Sequence, residues 1–325
     1  LARAHSRGIL RQKKCAGAIL DRHVLILCAS AVAVLSASTV VRAADIQRCQ
    51  QLGKQLRLEG PKVSATEVSL ALFSAADENC TGLATELLDG GASVDARDRF
   101  GARPLSHAAR NGRLEMVELL LARGAPINAR NLAGATALYY AAERGHVAVV
   151  QKLIAQGADV KLTGRSGLSP VAAGAYAGND TIVDILIAHG ADERAPDETG
   201  KPPIVYAAAR AKLDVVRRLL TRDVDVNARY VHDLTLLMWA AGADEKVAES
   251  DALKVVTYLL DAGAHVDDRD ARGRTALMIA AEGGRCEIAT LLISRGADAS
   301  LRDRGGKAAA DLTTVSSLRE RLTAQ

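Results

Sequence analysis

Residues 98–130 read DRFGARPLSHAARNGRLEMVELLLARGAPINAR. Gly101 marks a turn. Pro104 follows in a helix's first turn, where a missing N–H costs nothing. Leu105, Ala108 and Ala109 form that helix's apolar face, and Gly112 ends it, as helix C-termini that turn left-handed favour glycine. Leu114, Val117, Leu120 and Leu121 then recur at helical spacing. Gly124 closes this second helix, and Ile127-Asn128-Ala129 leads to the next turn. The stretch is a turn followed by two short helices.

The pattern recurs. Gly-Ala pairs stand at 91–92, 124–125, 157–158, 190–191, 263–264 and 296–297, spaced by 33 residues apart from one step of 73. A second series, Gly101, Gly134, Gly167, Gly200, Asp233, Gly273 and Gly306, has the same spacing and a seven-residue excess between 233 and 273. Two markers sharing one insertion establish a repeat array. Thr136, Ser169, Thr235 and Thr275 recur where a hydroxyl can cap the first helix.

The segments RPLSHAA (103–109), TALYYAA (136–142) with Gly145-His146, and TALMIAA (275–281) each precede a helix and a Gly-Ala pair. In these residues the chain resembles the ankyrin repeat. The resemblance implies an all-α solenoid of helix-turn-helix units with β-turn fingers, a protein-binding role without catalysis, and a structural hydrogen-bonding role for His146. The units fall at 65–97, 98–130, 131–163, 164–196, 197–229, 230–269 and 270–302, with a partial unit at 303–312 and a C-terminal tail at 313–325. The first and last read as caps, which a stack needs to cover its end faces. Asp223 and Ala211 replace helix-ending glycines, and Ala211 is the less suited to positive φ. The seven extra residues fall within 242–251 (GADEKVAESD), an acidic loop between two helices that reads first as a solvated insertion and second as a contact for a basic partner.

The chain has 42 Lys+Arg against 38 Asp+Glu, a formal charge of +4. Seven of those cations (Arg3, Arg7, Arg11, Lys13, Lys14, Arg22, Arg42) and a single acid (Asp21) fall in 1–43, giving +6 there and −2 over 44–325. Basic residues, the uncharged run Val24–Val41 and small residues at 43–44 are the parts of an export signal, cleaved after Ala43. An uncleaved membrane anchor is the rival reading. The expected location is periplasmic or secreted. Residues 44–64 read as a capping helix, over 45–58, and a linker.

Little in the sequence points to chemistry. His107, His146, His189, His232 and His265 have no metal-ligand spacing, and no phosphate loop or nucleophile–base set is present. No cofactor or metal is expected. Cys286 takes the slot of Leu114 and reads as a buried thiol. Cys80 takes an exposed slot before the first unit's second helix, and Cys49 lies on the capping helix. In an exported protein the two can pair, which pins that helix to the stack. Tyr140, Tyr206 and Trp239, with His107 and Ile279, share one repeat position and read as core packing.

The expected function is binding of a partner protein by a monomer through the concave face. The candidate residues are Arg99, Phe100, Arg110, Asn111, Glu143, Arg144, Arg165, Tyr176, Lys201, Arg210 and Arg272. Of these, Phe100, Arg110, Arg144, Tyr176 and Arg210 are the expected hot spots, because Arg and aromatics dominate interface energetics. Rival readings are an exported enzyme or stress-protection factor with an unrecognised site, a membrane-tethered scaffold, and a nucleic-acid or anionic-surface binder. Nucleic acid is not the expected partner, because the charge excess lies in the export signal.

Overall fold

The computed structural model describes residues 47–55, 64–220 and 224–323. The proposed signal and Asp223 lie outside the described residues. The chain divides into two units, 1–48 and 49–325. Of the first, only 47 and 48 are described, and the repeat architecture belongs to the second.

Residues 47–55 form a helix, α1. Two helices per repeat come after it: α2 (Ala65–Glu78) and α3 (Thr81–Asp89), α4 (Pro104–Arg110) and α5 (Leu114–Ala122), α6 (Ala137–Arg144) and α7 (Val147–Ala155), α8 (Pro170–Ala177) and α9 (Asp180–Ala188). The series continues with α10 (Pro203–Ala209) and α11 (Leu213–Leu219), α12 (Leu236–Ala241) and α13 (Glu249–Asp261), α14 (Ala276–Glu282) and α15 (Cys286–Ser294), and ends with α16 (Ala309–Leu312) and α17 (Ser316–Thr323). No strand occurs among the described residues.

Even-numbered helices from α2 to α16 pack side by side in one layer, and α3 to α15 form a second. Paired alanines let the first layer close up: Ala75, Ala76, Ala108, Ala109, Ala141, Ala142, Ala207 and Ala208 are fully buried. Leu120, Leu153, Leu186 and Leu259 fill the space between layers. Thr136, Ser169, Thr235 and Thr275 each accept a hydrogen bond from the amide three residues on, at 3.2–3.4 Å.

Five of the fingers are each set by one side chain. Asp98, Asn131, Asp197, Asp270 and Asp303 each turn an oxygen onto two backbone N–H groups of their own finger, at 2.8–3.0 Å. Such Asx contacts lock a turn locally. Nine residues on, the large side chain of the first helix reaches back to the same residue: His107 to Asp98, Tyr140 to Asn131, Tyr206 to Asp197. This column is therefore more than packing. Two fingers lack the Asx. Gly164 and Tyr230 stand there, and those fingers close as 3-10 turns, Arg165–Gly167 and Val231–Asp233. Ser166 and His232 take positive φ there, whereas Asp233 does so because it fills the slot of Gly101, Gly134, Gly167 and Gly200, which all have positive φ. Neighbouring fingers are tied by backbone bonds such as Leu132 N–H to Phe100 O (3.0 Å) and Glu198 N–H to Ser166 O (3.0 Å).

Ala211 has φ +54, in the slot where Gly112, Gly145 and Gly178 have +68, +78 and +83. Ala211→Gly should raise unfolding stability by up to about 1 kcal/mol in urea titration, since a Cβ is strained at positive φ.

Three expectations need correction. The insertion is not all loop: Glu249 starts α13, which runs 13 residues against 9 for α5, α7 and α9. The run Glu249-Ser250-Asp251-Ala252 puts acids at a helix N-terminus, where the dipole favours them. Cys286 is half-buried rather than buried, in a groove beside Leu253, Thr257 and Arg321, because the first residue of a second helix sits at the layer's edge. Cys80 is buried, not exposed, because α1 covers it.

Cys49 and Leu52 of α1 pack on the core, and the structure brings Cys49 and Cys80 to bonding distance, Cα atoms 5.4 Å apart. Closing a loop with a sequence separation of 31 contributes roughly 4 kcal/mol on the chain-entropy view. The exported form should show one reactive thiol, Cys286, in denaturant without reductant. A count of three would mean that the pair stays reduced.

Candidate protein-binding face

Finger 197–201 and helices α8, α10 and α12 bring five side chains together. The Arg210 guanidinium lies 4.7 Å from the Tyr176 ring centre. Tyr176 and Tyr206 meet edge to face at 6.5 Å. The Lys201 ammonium sits 6.0 Å from the Tyr206 ring and 5.5 Å from Trp239. Each cation is held over the negative face of an aromatic ring.

Asp197 fixes the finger beneath. Burial pushes its carboxyl up, but hydrogen bonds from the Tyr206 hydroxyl, the Lys201 amide and Thr199 outweigh this and hold it below its usual range. Burial first, then this carboxylate, pushes the Tyr206 phenol up. Tyr206 thus stays protonated and keeps donating. Arg210 also pairs with Asp244 of the insertion at 3.0 Å. Asp244 is held low by the Lys246 amide and then by Arg210.

Two donors in this patch, Arg210 Nε and Trp239 Nε1, are buried and meet no acceptor among the described residues. Buried N–H groups without partners are rare and costly. Lys201 and Arg165 meet no carboxylate among the described residues.

Tyr176, Lys201 and Arg210 therefore converge, although sequence spacing gave no sign of it. Tyr206 and Trp239, read from the sequence as packing, complete the patch. The other candidates do not join it. Asn111, His107 and Arg110 converge on Asp77 at 2.7, 3.0 and 3.7 Å. Glu143 and Arg144 pair with each other at 3.8 Å. Arg272 turns back on Asp270 at 2.9 Å. Arg99 stacks on Phe100 at 4.7 Å, at an exposed finger tip. Arg165 is exposed on a 3-10 turn.

Among the described residues, no group of three or more His, Cys, Asp or Glu is arranged to hold a metal. No helix there is long and apolar enough to cross a membrane.

A sequence model of ankyrin repeats, in a three-copy form, matches residues 72–164, 171–270 and 231–303. The chain belongs to the ankyrin repeat family. The crystal structure of the human ASB11 ankyrin repeat domain is similar to it, with a TM-score of 0.60 and 28% identity, over 69% of this chain and 97% of that one. A search of curated proteins gave no match. Ankyrin repeats mediate protein–protein interaction, and no catalytic activity is implied for this ankyrin chain. The structural role that the family implies for His146 has a partner here: its Nε2 lies 3.0 Å from Arg110 O in the preceding repeat.

Proposed function

We propose that this chain is an exported, non-catalytic interaction module that binds a partner protein through the concave face formed by the fingers and first-layer helices. The exposed apolar side chains carry this reading. Of the four large hydrophobic residues exposed among those described, Phe100, Leu132 and Tyr176 lie on fingers or at the end of a first-layer helix. Asx locks and finger-to-finger bonds fix these groups in advance, so little ordering entropy is lost on binding. Tyr176 and Arg210 are the leading hot spots. Phe100 adds an anchor at the finger tips, while Arg110 and Arg144 contribute less because they lie outside the patch around Tyr176. Export rests on the basic, apolar and small-residue order of 1–43, and the mature chain is periplasmic or secreted.

A photocrosslinking residue placed at Tyr176, and separately at exposed Gln151 of α7, tests the face. In the exported compartment the first should trap a partner that the second does not. Equal trapping at both sites, or none at Tyr176, sinks the concave-face reading.

A further inference from the structure

Successive fingers are joined in two ways. The first is a backbone bond between tips: Leu132 N–H to Phe100 O, Glu198 N–H to Ser166 O, Ala271 N–H to His232 O and Arg304 N–H to Arg272 O, each at 2.9–3.0 Å. The second is an arginine just before the Asx slot that donates to a carbonyl one repeat on: Arg130 to Thr163 O at 2.9 Å, Arg229 to Arg269 O at 2.6 Å and Arg269 to Arg302 O at 3.5 Å. The two fingers that close as 3-10 turns donate no tip bond to the finger before them. At the Gly164 finger, Arg130 makes up for this. At the Tyr230 finger, Pro196 fills the arginine slot and has no side-chain donor. Among the described residues, the junction of fingers 197–200 and 230–233 alone lacks both kinds of bond.

The opposite edge of this junction is braced. Arg210, at the far end of α10 from its finger, pairs with Asp244 at 3.0 Å, and the Asp244 amide donates to Ala209 O at 3.2 Å. Asp244 belongs to the insertion, which the other repeats lack. Between the two edges α10 and α12 stay packed, with Ala207, Ala208, Ala240 and Ala241 fully buried. Such small side chains interlock little, so the helices can slide slightly, as in shear motions. On the N-terminal side, α11 runs seven residues against nine in α5, α7 and α9, and it starts behind Ala211 with φ +54. Missing bonds and local strain mark a segment that opens before the rest.

We propose that this junction is a hinge: fingers 197–200 and 230–233 part and close while Arg210 and Asp244 stay joined. Opening carries Trp239 away from Lys201, whose ammonium rests 5.5 Å from its ring, so the hinge sets the width of the aromatic patch. The blocks on either side keep a tip bond or an arginine tie at every junction and move as units. A partner that spans α8–α12 holds the hinge at the width it fits. The hinge itself does not depend on that face being the binding surface.

Nitroxide distances on the full chain, read by double electron–electron resonance, test the hinge. Labels on keto residues placed at Glu198 and Arg272 span it, and a pair at Leu132 and Glu198 spans two junctions that each keep one bond. All three sites are exposed. The Glu198–Arg272 distribution should be about twice as broad as the Leu132–Glu198 one. Pro196→Arg supplies the missing donor, toward Arg229 O, and should bring the two widths together. Circular dichroism checks that each labelled chain folds. Equal widths without that substitution overturn the proposal, as does a broad distribution that Pro196→Arg leaves unchanged. If the widths behave as expected and a crosslinker at Tyr176 traps nothing, the hinge stands and the binding-face reading falls. Equal widths with trapping at Tyr176 remove the hinge and leave the face.

Discussion

Arg285→Ala should be the most damaging single change outside the hydrophobic core, lowering unfolding stability by about 3 kcal/mol. Arg285 is 9% exposed. Its guanidinium donates to Ala243 O and Asp244 O at 2.9 Å each and to Val247 O at 3.1 Å. These carbonyls belong to the insertion, which has no counterpart in the other repeats. Truncation leaves Ala243 O and Val247 O without this donor, while Asp244 O keeps the Val247 amide at 2.8 Å, and the loss is large because the bonds are charge-assisted. The insertion answers in kind: Glu249 accepts from the Glu287 and Ile288 amides at 2.9 and 3.2 Å, capping α15. Arg285→Lys should recover less than half, because an ammonium cannot span three carbonyls in a planar fork. Urea titration gives the stabilities, and hydrogen exchange at 243–248 should accelerate by the same free energy. A loss below about 0.5 kcal/mol, the range of ordinary surface changes, would show that the clamp is idle.

Gly164→Asp is expected to destabilise by about 2 kcal/mol, although it restores the Asx that Asp98, Asn131, Asp197, Asp270 and Asp303 supply. By the repeat pattern alone the change should help, since an Asx locks its finger. The neighbouring repeat decides otherwise. A Cβ on Gly164 would meet the Tyr139 ring at 2.9 Å, and Tyr139 is only 6% exposed and cannot swing away. Overpacking of this kind forces side chains off their rotamers. Combining the change with Tyr139→Ala should remove the penalty, a coupling that a double-mutant cycle reads directly. Additive effects, or a gain from Gly164→Asp alone, would refute the steric account.

These cases mark what the sequence could yield. The Gly-Ala period, the capping hydroxyls and Ala211's awkward slot were legible because each depends on residues a few positions apart. The bond from Tyr206 to Asp197 was not. Each residue had a sufficient local explanation, one as filler and one as turn, and only the folded finger shows that they act together. Lys201, Tyr206 and Trp239 likewise come from different repeats or different positions within one, and a periodic reading sorts positions rather than neighbours. Arg285 occupies the same repeat position as Arg113, whose Nε donates to Asp77 O at 2.8 Å. That shared reach to a preceding carbonyl was the one available signal for the clamp. Cys286 misled because its slot is apolar in Leu114 yet lies at the layer's rim.

The covered end of the stack has a mechanical consequence. While Cys49 and Cys80 are joined, α1 cannot leave Cys80, so the first repeat opens only after the rest of its packing is gone. The other end is closed by α16 and α17, with Ala309, Thr313, Leu318 and Leu322 among its buried contacts. A repeat array loses its members from whichever end is least held, because each touches only its neighbours. Pulled between its ends, this chain should shed repeats from the C-terminus backwards, releasing the aromatic patch at α8–α12 before the disulfide-bearing end.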